Sequence, residues 1–144
     1  MLTNKFISTV FTQKRNITSK IRFKFQFIYD QNTIVAEARP GQTLLEAARA
    51  NGIDLESSCG GNAICSSCHC VLTSGYYDSL PAVKDNEIET LELAHGLTST
   101  SRLGCQIVVS HNLNDQTVYI PSYTKRLHIV RKNSTDIKNL INSL

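Results

Sequence analysis

No stretch of the 144-residue chain approaches the ~18 uninterrupted apolar residues that a membrane-spanning helix needs, because polar or charged residues break every apolar run. No apolar run of about seven or more residues near the start marks a secretory signal. The first 29 residues hold no Asp or Glu, the only methionine is Met1, and no internal repeat is present. A Gly-rich nucleotide fingerprint is also missing, so the chain carries no site of its own for a nicotinamide dinucleotide. No catalytic dyad stands out, and the reading is of a protein that is not an enzyme. What remains, 41% hydrophobic and 19% charged, is the composition of one ordinary globular domain.

The formal charge of +3 describes no part of the molecule. Residues 1–29 carry six basic and no acidic side chains, 30–124 carry four and eleven, and 125–144 carry five and one, giving +6, −7 and +4. Because the basic residues sit at the ends, nucleic-acid binding is disfavoured: the acidic middle would repel phosphate. In the first segment Leu2, Phe6 and Val10 recur at spacings of four, with Lys5, Lys14, Arg15 and Lys20 between and after them. That pattern reads as a mitochondrial-type import presequence over 1–20, a disordered basic arm being the bland alternative. Residues 122–144 form a basic, polar tail with a weak helical pattern in Ile137, Leu140 and Ile141.

Between the ends the pattern changes. Ile21, Phe23, Phe25, Phe27 and Tyr29 alternate with Arg22, Lys24 and Gln26, which places five large side chains on one face of a strand. Asp30-Gln31-Asn32 supplies a turn and Thr33–Ala38 a returning strand. Thr43 and Glu46 make a capping box for a helix ending near Asn51-Gly52. Further expectations are a loop over 53–69, a short strand at Cys70–Thr73, a turn from Gly75 to Pro81, and a helix from Lys84 to Ala94. Two last strands are expected at Ile107–Val109 and Thr117–Ile120. A mixed sheet with helices packed on it, an α+β domain over 21–121, is the simplest arrangement.

Five cysteines, at 59, 65, 68, 70 and 105, are an odd number bunched within twelve residues plus one outlier. That is unlike a secreted disulfide framework. Cys59, Cys65, Cys68 and Cys105 have the spacing C-x5-C-x2-C-x36-C: three thiols on one loop, and a fourth delivered from far along the chain. Soft thiolates suit an iron–sulfur cluster or zinc. A two-iron cluster fits because each tetrahedral iron has two bridging sulfides and takes two protein ligands. Gly60 and Gly61 let the backbone come close to such a core, and loop N–H groups can point at sulfur. Structural zinc on the same four cysteines is the non-redox alternative. Cys65-Ser66-Ser67-Cys68-His69 also spells C-x-x-C-H, the attachment motif of c-type haem. Haem would leave Cys59 and Cys105 without roles and would have to find a second axial ligand in His95, His111 or His128. Cys70 reads as a small buried hydrophobe.

The sequence resembles the adrenodoxin-like, mitochondrial and bacterial-type [2Fe-2S] ferredoxins. The likeness runs over about 21–121 and is densest in Cys59 to His69, in Asp78-Ser79-Leu80-Pro81, and from Leu91 through Gln106. The five-residue first gap separates it from the plant-type pattern, in which that gap is four. The resemblance implies a β-grasp (ubiquitin-like roll) fold, Cys59 and Cys65 on one iron, Cys68 and Cys105 on the other, and His69 as an organising hydrogen-bonding residue beside the loop. It implies a one-electron carrier fed by an NAD(P)H-dependent flavoprotein, ferredoxin reductase. The acceptor it implies first is the cysteine desulfurase and scaffold of cluster assembly, and second a mitochondrial cytochrome P450. The implied setting is the mitochondrial matrix or a mitochondrion-derived organelle, and the implied state is a monomer.

On the helix expected from Lys84 to Ala94, Asp85, Glu89 and Glu92 fall within roughly 60° of one another. Ile88 and Leu91 lie on an adjacent face and are expected to pack inward. From pattern alone the acidic stripe is a solvated helix face. The charge of the middle segment, with about −2 more from an oxidised all-cysteine cluster, would instead steer a basic partner to it. In the family the acids matching Glu89 and Glu92 dock reductase and acceptors.

Overall fold

The computed structural model describes residues 19–29 and 31–121. Nearly all of the presequence read over 1–20, Asp30 of the expected turn, and the tail over 122–144 lie outside the described residues.

Strand β1 (Ile21–Phe27) and strand β2 (Thr33–Ala38) form the expected antiparallel hairpin, Phe23 opposite Ala36 and Phe25 opposite Ile34. Ile21, Phe23 and Phe25 are buried, as the alternation requires, and Phe27 packs at the edge of the core. Tyr29 departs from the pattern: it lies past the end of β1 in the turn and is exposed. Helix α1 (Leu44–Ala50) starts at the predicted capping box, in which the Thr43 hydroxyl accepts from the Glu46 N–H and the Glu46 carboxylate accepts from the Thr43 N–H. Its buried face is Leu44, Leu45, Ala47 and Ala48.

The sheet is completed by β3 (His69–Leu72), β4 (Ser101–Leu103) and β5 (Thr117–Ile120), in the order β2-β1-β5-β3-β4. Among the described strands only the β1–β5 pairing is parallel. A five-stranded mixed sheet with α1 packed on it is the α+β arrangement expected from the element order, and the β-grasp fold that the resemblance implies.

Three local expectations are corrected, and one strand was not expected. The segment around Gly75 is not a plain turn but one helical turn, α2 (Ser74–Asp78), because Tyr76 is anchored in the core and burial outweighs the poor helix propensity of glycine. The next helix, α3 (Asp85–Leu91), is shorter than expected, with Glu92–Ala94 in turns. Ile107–Val109 makes no sheet strand. Its backbone bonds instead to the approach to α1, through Leu44 N–H to Ile107 carbonyl (2.8 Å), Gly41 N–H to Val109 carbonyl (2.9 Å) and Val109 N–H to Gln42 carbonyl (2.7 Å). The fourth strand is Ser-Arg-Leu at 101–103, a polar tripeptide with little β pattern, fixed by the side-chain bonds of Ser101 and Arg102 described below.

Strand β2 is an outer edge of the sheet, and the side chain of Asn51, the residue that ends α1, covers part of it. Its Oδ1 accepts from the Glu37 N–H (3.1 Å) and its Nδ2 donates to the Glu37 carbonyl (2.9 Å).

Candidate functional site

Two elements deliver the thiols. After α1, Ile53 and Leu55 are buried and pin the chain before the loop that carries Cys59, Cys65 and Cys68 into β3. Cys105 follows β4, and its segment is held from both sides: Gly104 N–H bonds Cys68 carbonyl (2.8 Å), and Leu45 N–H, in the first turn of α1, bonds Gly104 carbonyl (3.0 Å). A side chain at Gly104 would press on Cys68 carbonyl oxygen at 3.1 Å and Leu55 Cδ2 at 3.0 Å, so this close approach requires glycine.

The loop is shaped by positive-φ backbone. Gly60 and Gly61 have φ of 68° and 99°. For both, the need is conformational: a Cβ on Gly60 would meet nothing, and on Gly61 only ordinary contacts at 3.8 Å. Ala63, at φ 57°, is a buried non-glycine residue in the left-handed region, a cost of about 1 kcal/mol or more that the surroundings must hold.

This backbone sets the four thiols in two pairs. Cys59 Sγ interacts directly with Cys65 Sγ, and Cys68 Sγ with Cys105 Sγ. The second pair is buried, and the first is half-exposed. Cys65 beside it and the Ile64, Gly61 and Asn62 N–H groups bring the Cys59 thiol down to about 6. Cys68 beside it, the Gln106 side-chain amide at 3.4 Å, and the Ala63 N–H bring Cys105 to about 6. Cys68 goes up, through the same contact with Cys105 and through burial. The lowered thiols, Cys59 and Cys105, yield thiolates readily to a metal.

Among the described residues no three His, Cys, Asp or Glu side chains are grouped around one point. Two cysteine pairs suit a two-iron core, in which each iron takes two protein ligands, and the pairing sets Cys65 and Cys68 of the C-x-x-C-H motif in different pairs. The thiol chemistry and the N–H groups around it therefore fit a [2Fe-2S] cluster.

Cys70 is fully buried, its Sγ donates to the Cys68 carbonyl (3.5 Å), and burial pushes its thiol up to about 12. His69 is buried beside the loop. Its Nε2 lies 2.7 Å from Ser101 Oγ, and the ring also bonds the His95 backbone carbonyl. Burial lowers its pKa to about 4, so the ring is neutral at physiological pH. A carbonyl can only accept, so the ring proton sits on the nitrogen facing His95, and Nε2 accepts from the Ser101 hydroxyl. That hydroxyl oxygen in turn accepts from the Thr98 N–H at 2.9 Å.

Asp85, Glu89 and Glu92 are all exposed on or just after α3. Of the expected Ile88–Leu91 face, Leu91 is buried, but Ile88 is 45% exposed, and Glu87 and Thr90 are buried beside Leu91 in its place. Glu87 forms a two-pronged ion pair with Arg102 of β4, at 2.8 Å (Nε to Oε1) and 3.1 Å (Nη2 to Oε2), and also accepts from the Leu103 N–H at 2.9 Å. Thr90 donates to the Ala63 carbonyl of the cysteine loop at 2.9 Å. The sequence reading missed Glu87, Arg102, Ser101 and Thr90. The available signal was spacing: Glu87 stands three residues before Thr90 and four before Leu91, the apolar residue that marks the inward face, so it shares that side of the helix with both.

Comparison with known proteins matches residues 27–110 to the 2Fe-2S iron-sulfur cluster binding domain. The chain is 35% identical over 126 residues to the mitochondrial adrenodoxin homolog of Saccharomyces cerevisiae, covering 88% of this chain and 73% of that protein. It is similar to the crystal structure of the ISC-like [2Fe-2S] ferredoxin of Pseudomonas putida, with a TM-score of 0.63 and 35% identity over 76% of this chain and 99% of that one. It is equally similar, with a TM-score of 0.63 and 33% identity over 69% of this chain and 99% of that one, to a chain of the covalent putidaredoxin reductase–putidaredoxin complex.

Proposed function

Because this chain belongs to the adrenodoxin-like [2Fe-2S] ferredoxins, electron-transfer proteins that bind a [2Fe-2S] cluster, we propose that Cys59, Cys65, Cys68 and Cys105 are its cluster ligands. Cys59 and Cys65 hold one iron, and Cys68 and Cys105 the other. The observation that carries this is the pairing of the four thiols across a shared fringe of backbone N–H groups. When bound, the cluster supplies storage for one electron. The chain's own residues do the rest. Gly60, Gly61 and Ala63 turn N–H groups toward sulfur, stabilising negative charge there. His69 and Ser101 tie the start of β3 to the turn before β4, fixing the separation of the inner pair's elements. Ile64, 77% exposed beside Cys65, marks the side on which the site lies nearest the surface.

The electron comes from an NAD(P)H-dependent flavoprotein reductase and goes to the cysteine desulfurase and scaffold that assemble iron–sulfur clusters. Likeness to a chain bound to its reductase supports the donor, and likeness to an ISC-like ferredoxin supports the acceptor. Asp85, Glu89 and Glu92 form the docking stripe, since transient redox interfaces are small and rely on charge for orientation. The domain spans 21–121, preceded by a presequence over 1–20 that directs it to the mitochondrial matrix or a mitochondrion-derived organelle, and followed by a basic tail. The yeast relative's description as mitochondrial supports that destination.

The test is purification followed by metal and sulfide analysis and a visible spectrum, then turnover with purified reductase and acceptors. A brown protein with two irons and two labile sulfides is expected. A colourless zinc protein would overturn the ligand assignment. Support of a P450 without support of cluster synthesis would overturn the acceptor.

A further inference from the structure

The cysteine loop and the helix bearing the acidic stripe are joined by one side-chain hydrogen bond among the described contacts, and the peptide it reaches has two ends with different tasks. The carbonyl end, on Ala63, accepts from Thr90 Oγ1 at 2.9 Å in a buried setting. The amide end of that same peptide unit is the Ile64 N–H, which points at Cys59 Sγ. The chain of contacts is therefore hydroxyl to carbonyl, then amide to sulfur, with a single peptide plane between helix and thiol. Ala63 sits at φ 57°, a conformation that an L-residue rarely holds unaided, so something must keep that plane in place. Thr90 has only one proton to give, and the Asn86 carbonyl of its own helix, also at 2.9 Å, competes for it.

We propose that Thr90 is a positioning residue for the cluster: its hydroxyl fixes and polarises the Ala63–Ile64 peptide so that the Ile64 N–H stays aimed at the Cys59 sulfur, and thereby raises the reduction potential. The inference rests on the ligand assignment above. The physics is that donation to a carbonyl strengthens the donor at the other end of the same amide. A stronger N–H to thiolate sulfur bond favours the more negative, reduced state. Thr90 stands next to Glu89 and two residues before Glu92, so the same bond connects the proposed docking stripe to a ligand atom.

The experiment compares the full chain, loaded with cluster, as parent, Thr90→Val, Thr90→Ala and Thr90→Ser. Val keeps the shape and removes the hydroxyl, Ala removes it with a better helix former, and Ser keeps it. Each is assayed for iron and labile sulfide, for midpoint potential by optical titration, and for iron–thiolate stretching frequencies by resonance Raman. Val and Ala are expected to share a more negative potential and shifted stretches, with Ser at the parent values. Loss of cluster in Val and Ala with retention in Ser would show the same dependence in its strongest form. Equal potentials and stretches in all four, or Ser moving with Val, would overturn the role of the hydroxyl. A parent without two irons and two sulfides would instead overturn the ligand assignment, and this inference with it.

Discussion

Glu87 on α3 and Arg102 on β4 face each other through two parallel hydrogen bonds, with both side chains almost wholly out of water. The carboxylate also receives the Leu103 N–H, and the guanidinium donates to the Pro81 carbonyl at 3.1 Å. Removing one partner strands the other as a buried charge. Glu87→Gln is expected to lower stability by about 3 kcal/mol in denaturant titrations, whereas replacing both residues by Met should recover most of that loss. If the single and double variants are equally destabilised, the ion pair is not the cause.

The cysteines should divide four to one. Serine at Cys59, Cys65, Cys68 or Cys105 is expected to abolish or grossly alter the visible absorbance and its reversible bleaching by dithionite. Cys70→Ala should leave both intact and cost roughly 1 kcal/mol for the small cavity in the core. A colourless Cys70→Ala protein would make the fifth thiol a participant.

Charge reversal on the stripe should act on rate and not on colour. Glu89→Lys with Glu92→Lys is expected to slow reduction by ferredoxin reductase on the order of tenfold or more at low salt. The deficit should shrink as salt rises, while the absorbance spectrum is unchanged. An unaltered rate at low salt would place docking on another surface.

Tyr76 offers a test at alkaline pH. Its hydroxyl is buried without a hydrogen-bond partner among the described residues, and burial pushes its pKa from 10 to about 12. The fold thus favours the neutral phenol, and the resulting stability is complete below pH 10 and is lost as pH rises from there toward 12. Tyr76→Phe should therefore be no less stable than the parent at neutral pH, and more stable than it by about 2 kcal/mol near pH 12. Parallel stability curves for the two proteins across that window would contradict this.

The parts legible in the sequence are those whose signals are local. Period-two alternation marked β1, the Thr43–Glu46 capping box marked the start of α1, and thiol spacing singled out Cys59, Cys65, Cys68 and Cys105, which the fold sets in two pairs. What escaped depends on contacts between distant residues. Ser101–Leu103 becomes a strand because His69 and Glu87 bind its side chains, and neither bond has a sequence signature. Ile107–Val109 has the composition of a strand, yet the N-terminal amides of α1 need its carbonyls more than the sheet does. On α3, hydrophobicity pointed to Ile88, but a glutamate matched to an arginine across a gap of fifteen residues took the inward position. Ala63 was invisible for another reason: alanine is not the residue expected at positive φ, and its conformation rests on what surrounds it.

The amide of Asn51 lies against the outermost strand as a short extra rung, filling the hydrogen bonds of Glu37 that would otherwise face outward. A shuttle must meet its clients and let go within each cycle, so lasting adhesion between copies would take it out of service. Strand margins are where such adhesion begins, since their free amides and carbonyls welcome any extended segment. Blocking one rung interrupts the ladder that a second molecule would have to zip along, so the residue that terminates a helix also guards the border of the sheet.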